Sequence, residues 1–175
     1  MRDENAETAM LSTLREKMAR SQDGVLEAIA AEHGASTRAV ADCLPDHCRT
    51  VVDGSAFEAV MADLSAWGEI VLLVHTQDVV LECRGEIPRG RMARGYYNFE
   101  GHGPIGGHLR HGRCAAIYFV KRPFMKMDTC AILFFNGEGE AMFKVYVGRD
   151  ANRRLRADQV ARFDQLKARL TSQRA

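Results

Sequence analysis

The sequence has no excess of one charge: 24 basic residues face 23 acidic ones, for a formal net charge of +1. No global positive field therefore draws the chain to nucleic acid or to an anionic bilayer. No stretch approaches the ~18 consecutive apolar residues of a membrane span, and no basic flank leads into an apolar run of signal-peptide length. Cys-x-x-Cys pairs are missing too. The five cysteines, Cys43, Cys48, Cys83, Cys114 and Cys130, are odd in number, which without an export signal reads as thiols in a reducing, cytoplasmic compartment. Cys43 and Cys48 lie near Asp46 and His47, but a closed zinc site needs about four ligands and no second pair stands nearby. Gly-x-Ser-x-Gly, His-Glu-x-x-His and phosphate-loop patterns are absent, which removes the common hydrolase, metalloprotease and nucleotide-binding signatures. No internal repeat or low-complexity linker divides the 175 residues, a length that suits one domain.

What is present falls into two periods. Met10, Leu11, Leu14 and Met18 recur at three-and-four spacing, which predicts an N-terminal helix with one packed face. Val25 to Leu44 predicts two short helices parted at His33-Gly34-Ala35. Gly34 ends the first in the left-handed conformation, and Ser36 or Thr37 caps the second. This unit resembles a helix-turn-helix, yet Arg38 there is followed by Asp42 and Asp46, so a packing module is favoured over base readout. Pro45 then breaks the helix, and Ser55 with Glu58 predicts a capping box for a helix carrying Phe57, Val60, Met61, Leu64 and Trp67 inward and ending at Gly68.

Beyond Gly68 the period shortens to two. Strands are expected at Glu69 to Thr76, Asp78 to Glu86, Gly95 to Phe99, Arg113 to Lys121, Thr129 to Asn136 and Glu140 to Val147. In the second, Val79, Leu81 and Cys83 form the expected dry side. Asn136-Gly137-Glu138-Gly139 marks a hairpin, and such short connections imply antiparallel pairing. A last helix, Ala157 to about Leu170, places Val160, Phe163, Leu166 and Leu170 on one face. The expected fold is thus α+β: an extended antiparallel sheet flanked by N- and C-terminal helices, one domain over residues 1–175 with residues 1–50 as a helical subregion.

Candidate chemistry rests on histidines and cations. His33 and His47 fall at helix ends or in loops, and His102 and His111 beside glycines, so all four read as surface groups. His75 differs, because it ends the run Ile70-Val71-Leu72-Leu73-Val74 and shares parity with Val71 and Leu73. His108 follows the glycine-rich stretch Gly101 to Gly107, where the backbone can turn tightly or admit a flat ligand. Aromatics from Tyr96 and Phe99 to Tyr146 crowd the strand region; most fill the core, and any left on an open sheet face offer a surface to an apolar, metal-bearing cofactor held by histidine. Arg94, Arg110, Arg113, Lys121 and Arg122 are either solvated flanks or partners for acidic substituents on such a cofactor.

Several ordered motifs resemble one family, the cytosolic haem-utilisation carriers called HutX, ChuX or HuvX. The matching segments are Trp67-Gly68, Val74-His75-Thr76, Gly95-Tyr96-Tyr97-Asn98-Phe99, Pro104-Ile105-Gly106-Gly107-His108-Leu109, Arg122-Pro123-Phe124-Met125 and Phe134-Phe135-Asn136. Gly139 to Lys144 and Val147-Gly148-Arg149-Asp150 extend the match. The resemblance implies a fold like one half of the HemS and ChuS haem proteins and a homodimeric, non-enzymatic carrier. Such a carrier binds haem b in the cell, stores or buffers it, and passes it to a HutZ-type haem-degrading partner. It also implies His75 and His108 as iron ligands, with Tyr96, Phe99, Arg94 and Arg110 beside the macrocycle, and no nucleic acid or membrane partner. Two other readings are kept beside it: a haem-modifying or haem-degrading enzyme, and a helix-turn-helix DNA-binding regulator.

Overall fold

A computed structural model describes residues 4–172; residues 1–3 and 173–175, the two ends of the expected domain, lie outside the described residues. Five α-helices and nine strands follow in the order α1 (Glu4–Arg20), α2 (Leu26–His33), α3 (Thr37–Asp42), β1 (Arg49–Asp53), α4 (Phe57–Leu64), β2 (Glu69–His75), β3 (Val80–Glu86), β4 (Gly90–Ala93), β5 (Tyr96–Phe99), β6 (His108–Leu109), β7 (Cys114–Phe124), β8 (Met127–Asn136), β9 (Ala141–Tyr146) and α5 (Ala157–Ser172). Six strands form one sheet in the order β1-β7-β8-β9-β2-β3, and β4-β5-β6 form a second. Every strand pair is antiparallel.

The large sheet is covered on both faces, so its central strands are apolar on both. In β7, Ile117 and Phe119 join Phe134, Phe143, α4, α5 and the small sheet in one core, whereas Tyr118 and Val120 join Leu133, Phe135 and helices α1 to α3 in another. Adjacent residues reach opposite layers because side chains alternate across the pleat. Phe134 and Phe143 stack at 4.2 Å, and Phe57 meets Phe134 edge-on at 5.5 Å. One buried polar group closes the α5 layer: the Gln159 amide donates to the carbonyls of Trp67 (2.9 Å) and Glu69 (2.8 Å) and accepts from the Gly148 N–H (2.7 Å).

The α2-α3 unit forms as the spacing predicts, with Gly34 at φ +62° and the Ser36 hydroxyl accepting from the Ala39 N–H. Its use is packing. Thr37, Val40 and Ala41 are buried in a helix of six residues, and Arg38 Nε donates to the Tyr118 hydroxyl at 3.0 Å. That hydroxyl donates in turn to Asp42 at 2.7 Å; burial first, then Asp42, pushes its pKa up to about 12.

Three expectations change. The predicted Ser55-Glu58 capping box does not form, because Asp53 accepts from the Ser55 N–H at 2.9 Å and starts a 3-10 turn that runs into α4. Strands β1, β4 and β6, unforeseen in sequence, supply an edge of the large sheet and both flanks of β5 in the small one. The side of β3 expected to be dry is wet at its start: Val79 is 53% and Leu81 58% exposed, and Val80 on the other side is exposed as well, since among the described residues β3 is an edge strand paired with β2 alone.

Candidate functional site

Helices α1 to α3 do not cover the whole of their face. Beyond the start of α2, toward the β2-β3 edge, lies a cavity of about 360 Å³ lined by Glu27, His75, Arg122, Lys144 and Tyr146 with apolar side chains from β2, β3 and the β7-β8 hairpin. His75 reaches it by register. Val71 pairs with Tyr146 and Leu73 with Lys144, so the parity that carries Val71 and Leu73 to this face carries His75 there too. Its Nδ1 stands 3.4 Å from Glu27 Oε2, and the other carboxylate oxygen pairs with the Lys144 ammonium.

The charges here are unusually deep. Lys144 is 4% exposed and Arg122 8%. Burial lowers the pKa of both: for Lys144 the Glu27 carboxylate opposes the shift, and for Arg122 the opposing groups are Tyr146, Asp23, Glu27 and Cys48. Arg122 Nη1 donates to the Gln22 carbonyl at 2.6 Å. At the rim, Met125 and Lys126 adopt φ +50° and +61°, a conformation that L side chains take at a cost. The Asp23 carboxylate accepts from both their N–H groups (2.8 and 3.0 Å), and these two bonds hold its pKa below the ordinary carboxylate value.

His108 stands elsewhere. Tyr97 and Leu109 turn inward to the core shared with α4 and α5, so their neighbours Tyr96, Asn98 and His108 turn outward on the small sheet. The Asn98 amide nitrogen donates to the carbonyls of Arg91, Ala93 and Tyr96. Its oxygen therefore faces His108 Nδ1 at 2.7 Å and, being an acceptor, requires the proton on that nitrogen, which leaves Nε2 free. The Tyr96 ring meets His108 edge-on at 6.1 Å and lies under the Arg110 guanidinium at 5.9 Å. Phe99 packs inward on Tyr97, and Arg94 sits in the β4-β5 turn at φ +54°.

Of the expected site residues, the structure groups His108, Tyr96 and Arg110, leaves Phe99 and Arg94 apart from them, and puts His75 on the opposite face of the large sheet. An aromatic surface does not lie open: Tyr118, Phe119, Phe134, Phe135 and Phe143 are buried. His111, expected on the surface, is half-buried and tilts over Phe57 at 6.3 Å. Tyr146, one of the strand-region aromatics, does line the cavity, as does Arg122, whereas Glu27 and Lys144 carried no expected role. A lysine inside the apolar run Met142-Phe143-Lys144-Val145-Tyr146 was the available signal, because a charge in a buried strand requires a partner.

Fold and site together define a small α+β ligand-binding protein, with an imidazole-bearing cavity on one sheet face and a second imidazole on the outer sheet. The chain belongs to the ChuX/HutX haem-utilisation family, whose model matches residues 50–166. The intracellular haem transport protein HutX of Vibrio cholerae is 36% identical over 125 residues, 71% of this chain and 65% of that protein's length. A structure of the haem-binding protein ChuX is 40% identical over 90% of this chain and 99% of its own, with TM-score 0.83. The Escherichia coli O157:H7 haem-degrading enzyme ChuS shares the fold at 14% identity, with TM-score 0.70 over 89% of this chain and 47% of that one. The expected likeness to one half of such proteins is present.

Proposed function

We propose that this chain is a non-enzymatic cytoplasmic carrier that binds haem b, holds it and passes it to a HutZ-type haem-degrading protein. The observation that carries the reading is the cavity at His75. A haem needs apolar walls, cations for its two carboxylates and a ligand for its iron. Val71, Leu73 and Phe124 supply walls, Arg84 and Arg149 stand in the lining as cations, and His75 brings an imidazole.

His108 is the second proposed ligand, with Tyr96 and Arg110 beside it, while Phe99 and Arg94 support that sheet and its turn. Because the large sheet separates His75 from His108 within one chain, we assign the two imidazoles of one site to two copies of the chain. The open β3 edge and the exposed Val79, Val80 and Leu81 support a homodimer, since an uncovered apolar edge strand invites pairing. Two axial imidazoles would fill both coordination positions and discourage oxygen activation, as a carrier requires.

Haem titration followed by visible spectra tests the reading. His75→Ala and His108→Ala should each shift the spectrum or weaken binding, and mixing the two variants should restore one intact site in each mixed dimer. Unchanged spectra and affinity in both variants would overturn the ligand assignment. Incubating the complex with reductant and oxygen should return intact haem; a defined tetrapyrrole product would make the protein an enzyme instead.

A further inference from the structure

We infer that Glu27 is a positioning residue for His75, fixing the imidazole in the tautomer that presents Nε2 outward as a metal ligand; this rests on the reading of His75 as an iron ligand. Three distant elements build the arrangement. Glu27 comes from the first turn of α2, Lys144 from β9 and His75 from the end of β2. Both Glu27 carboxylate oxygens are sealed from solvent. Burying a carboxylate is costly unless a cation meets it, and Lys144 meets Oε1.

A purely structural pair linking α2 to the sheet would be complete at that point. Glu27 Oε2 nevertheless stands 3.4 Å from His75 Nδ1, and, buried with no hydrogen-bond donor upon it, it has the Nδ1 proton as the nearest donor the fold offers it. An ionised carboxylate only accepts. The neutral imidazole therefore keeps its one proton on Nδ1, and Nε2 retains the lone pair that a metal takes. Asn98 does the same for His108 through Nδ1 at 2.7 Å, but with a neutral amide. The difference is electronic: a carboxylate behind a ligating histidine raises its basicity. His75 becomes the stronger donor of the two, and it favours ferric over ferrous iron.

The tautomer is read directly by nitrogen NMR of the haem-free protein at about pH 8, above the ordinary imidazole range. Wild type should show His75 protonated on Nδ1, and Glu27→Gln, whose one oxygen faces Lys144 and whose NH2 then donates to Nδ1, should move the proton to Nε2. In haem-loaded protein, Glu27→Gln should weaken affinity by about 10- to 100-fold and raise the ferric/ferrous midpoint potential. Because Glu27→Gln strands the Lys144 ammonium, the double variant Glu27→Met, Lys144→Met removes both charges and carries the same expectation in a fold without the stranded cation. An Nε2-protonated His75 in wild type would overturn the inference. So would wild-type affinity and potential in the Glu27 variants while His75→Ala loses its haem spectrum. An unchanged spectrum in His75→Ala would instead overturn the ligand reading, and the inference with it.

Discussion

The two faces of the six-stranded sheet are built from the same strands and do different things. On the α4-α5 face, Phe57, Phe134, Phe143 and Phe163 share one apolar core, and the buried Gln159 side chain has its hydrogen bonds met by backbone. Toward the β2-β3 edge of the opposite face, apolar packing gives way to a cavity holding Glu27, His75, Arg122 and Lys144. Buried ion pairs stabilise little compared with hydrophobic residues of similar volume. Their place at a cavity, rather than in a sealed core, is the observation on which the proposed haem site rests.

The comparison can be broken or sharpened by substitution, and the expected effects fall in order. On the packed face, Phe134→Ala should cost about 4 kcal/mol, read as a lowered unfolding midpoint in denaturant with haem titration stoichiometry unchanged. On the cavity face, Lys144→Met should cost about 3 kcal/mol, because it leaves the Glu27 carboxylate buried without its cation; adding Glu27→Met should recover most of that loss. If the double variant is no more stable than the single one, the pair does not work as a unit. Gln159→Leu should cost about 2 kcal/mol, from one N–H and two carbonyls left unbonded, measured in the same way.

The smallest effect is a pH dependence at the cavity rim. The folded state holds the Asp23 carboxyl below its ordinary value of about 3.9, so its contribution is present above that value and is lost as pH falls through the lower, folded value. Asp23→Asn should flatten the acid limb of a plot of melting temperature against pH. An unchanged limb would remove Asp23 as the brace of the Met125-Lys126 turn.

Much of the frame was legible because it depends on local spacing. Gly34 and Ser36 delimit α2 and α3 through their own backbone and side chain, and Asn136 to Gly139 closes the β8-β9 hairpin. Period-two runs gave β2, β7, β8 and β9 to within a few residues. Where local signals failed, distant residues had intervened. Asp53 displaced the Ser55-Glu58 box; β1 gained its identity by pairing with β7 more than sixty residues away; and Leu81 lost its dry environment because, among the described residues, β3 ends the sheet.

The sequence by itself determined the class of fold, the family through its ordered motifs, and the parity that turns His75 toward the face it occupies. Only the tertiary structure decided which groups meet. That Glu27, Lys144 and His75 converge follows from the first turn of α2 reaching β9 and β2, and that His108 lies on the far side follows from the small sheet packing on the opposite core. Spacing along a chain fixes where a side chain points from its own strand, while the partner it finds depends on which elements the burial of apolar surface brings together.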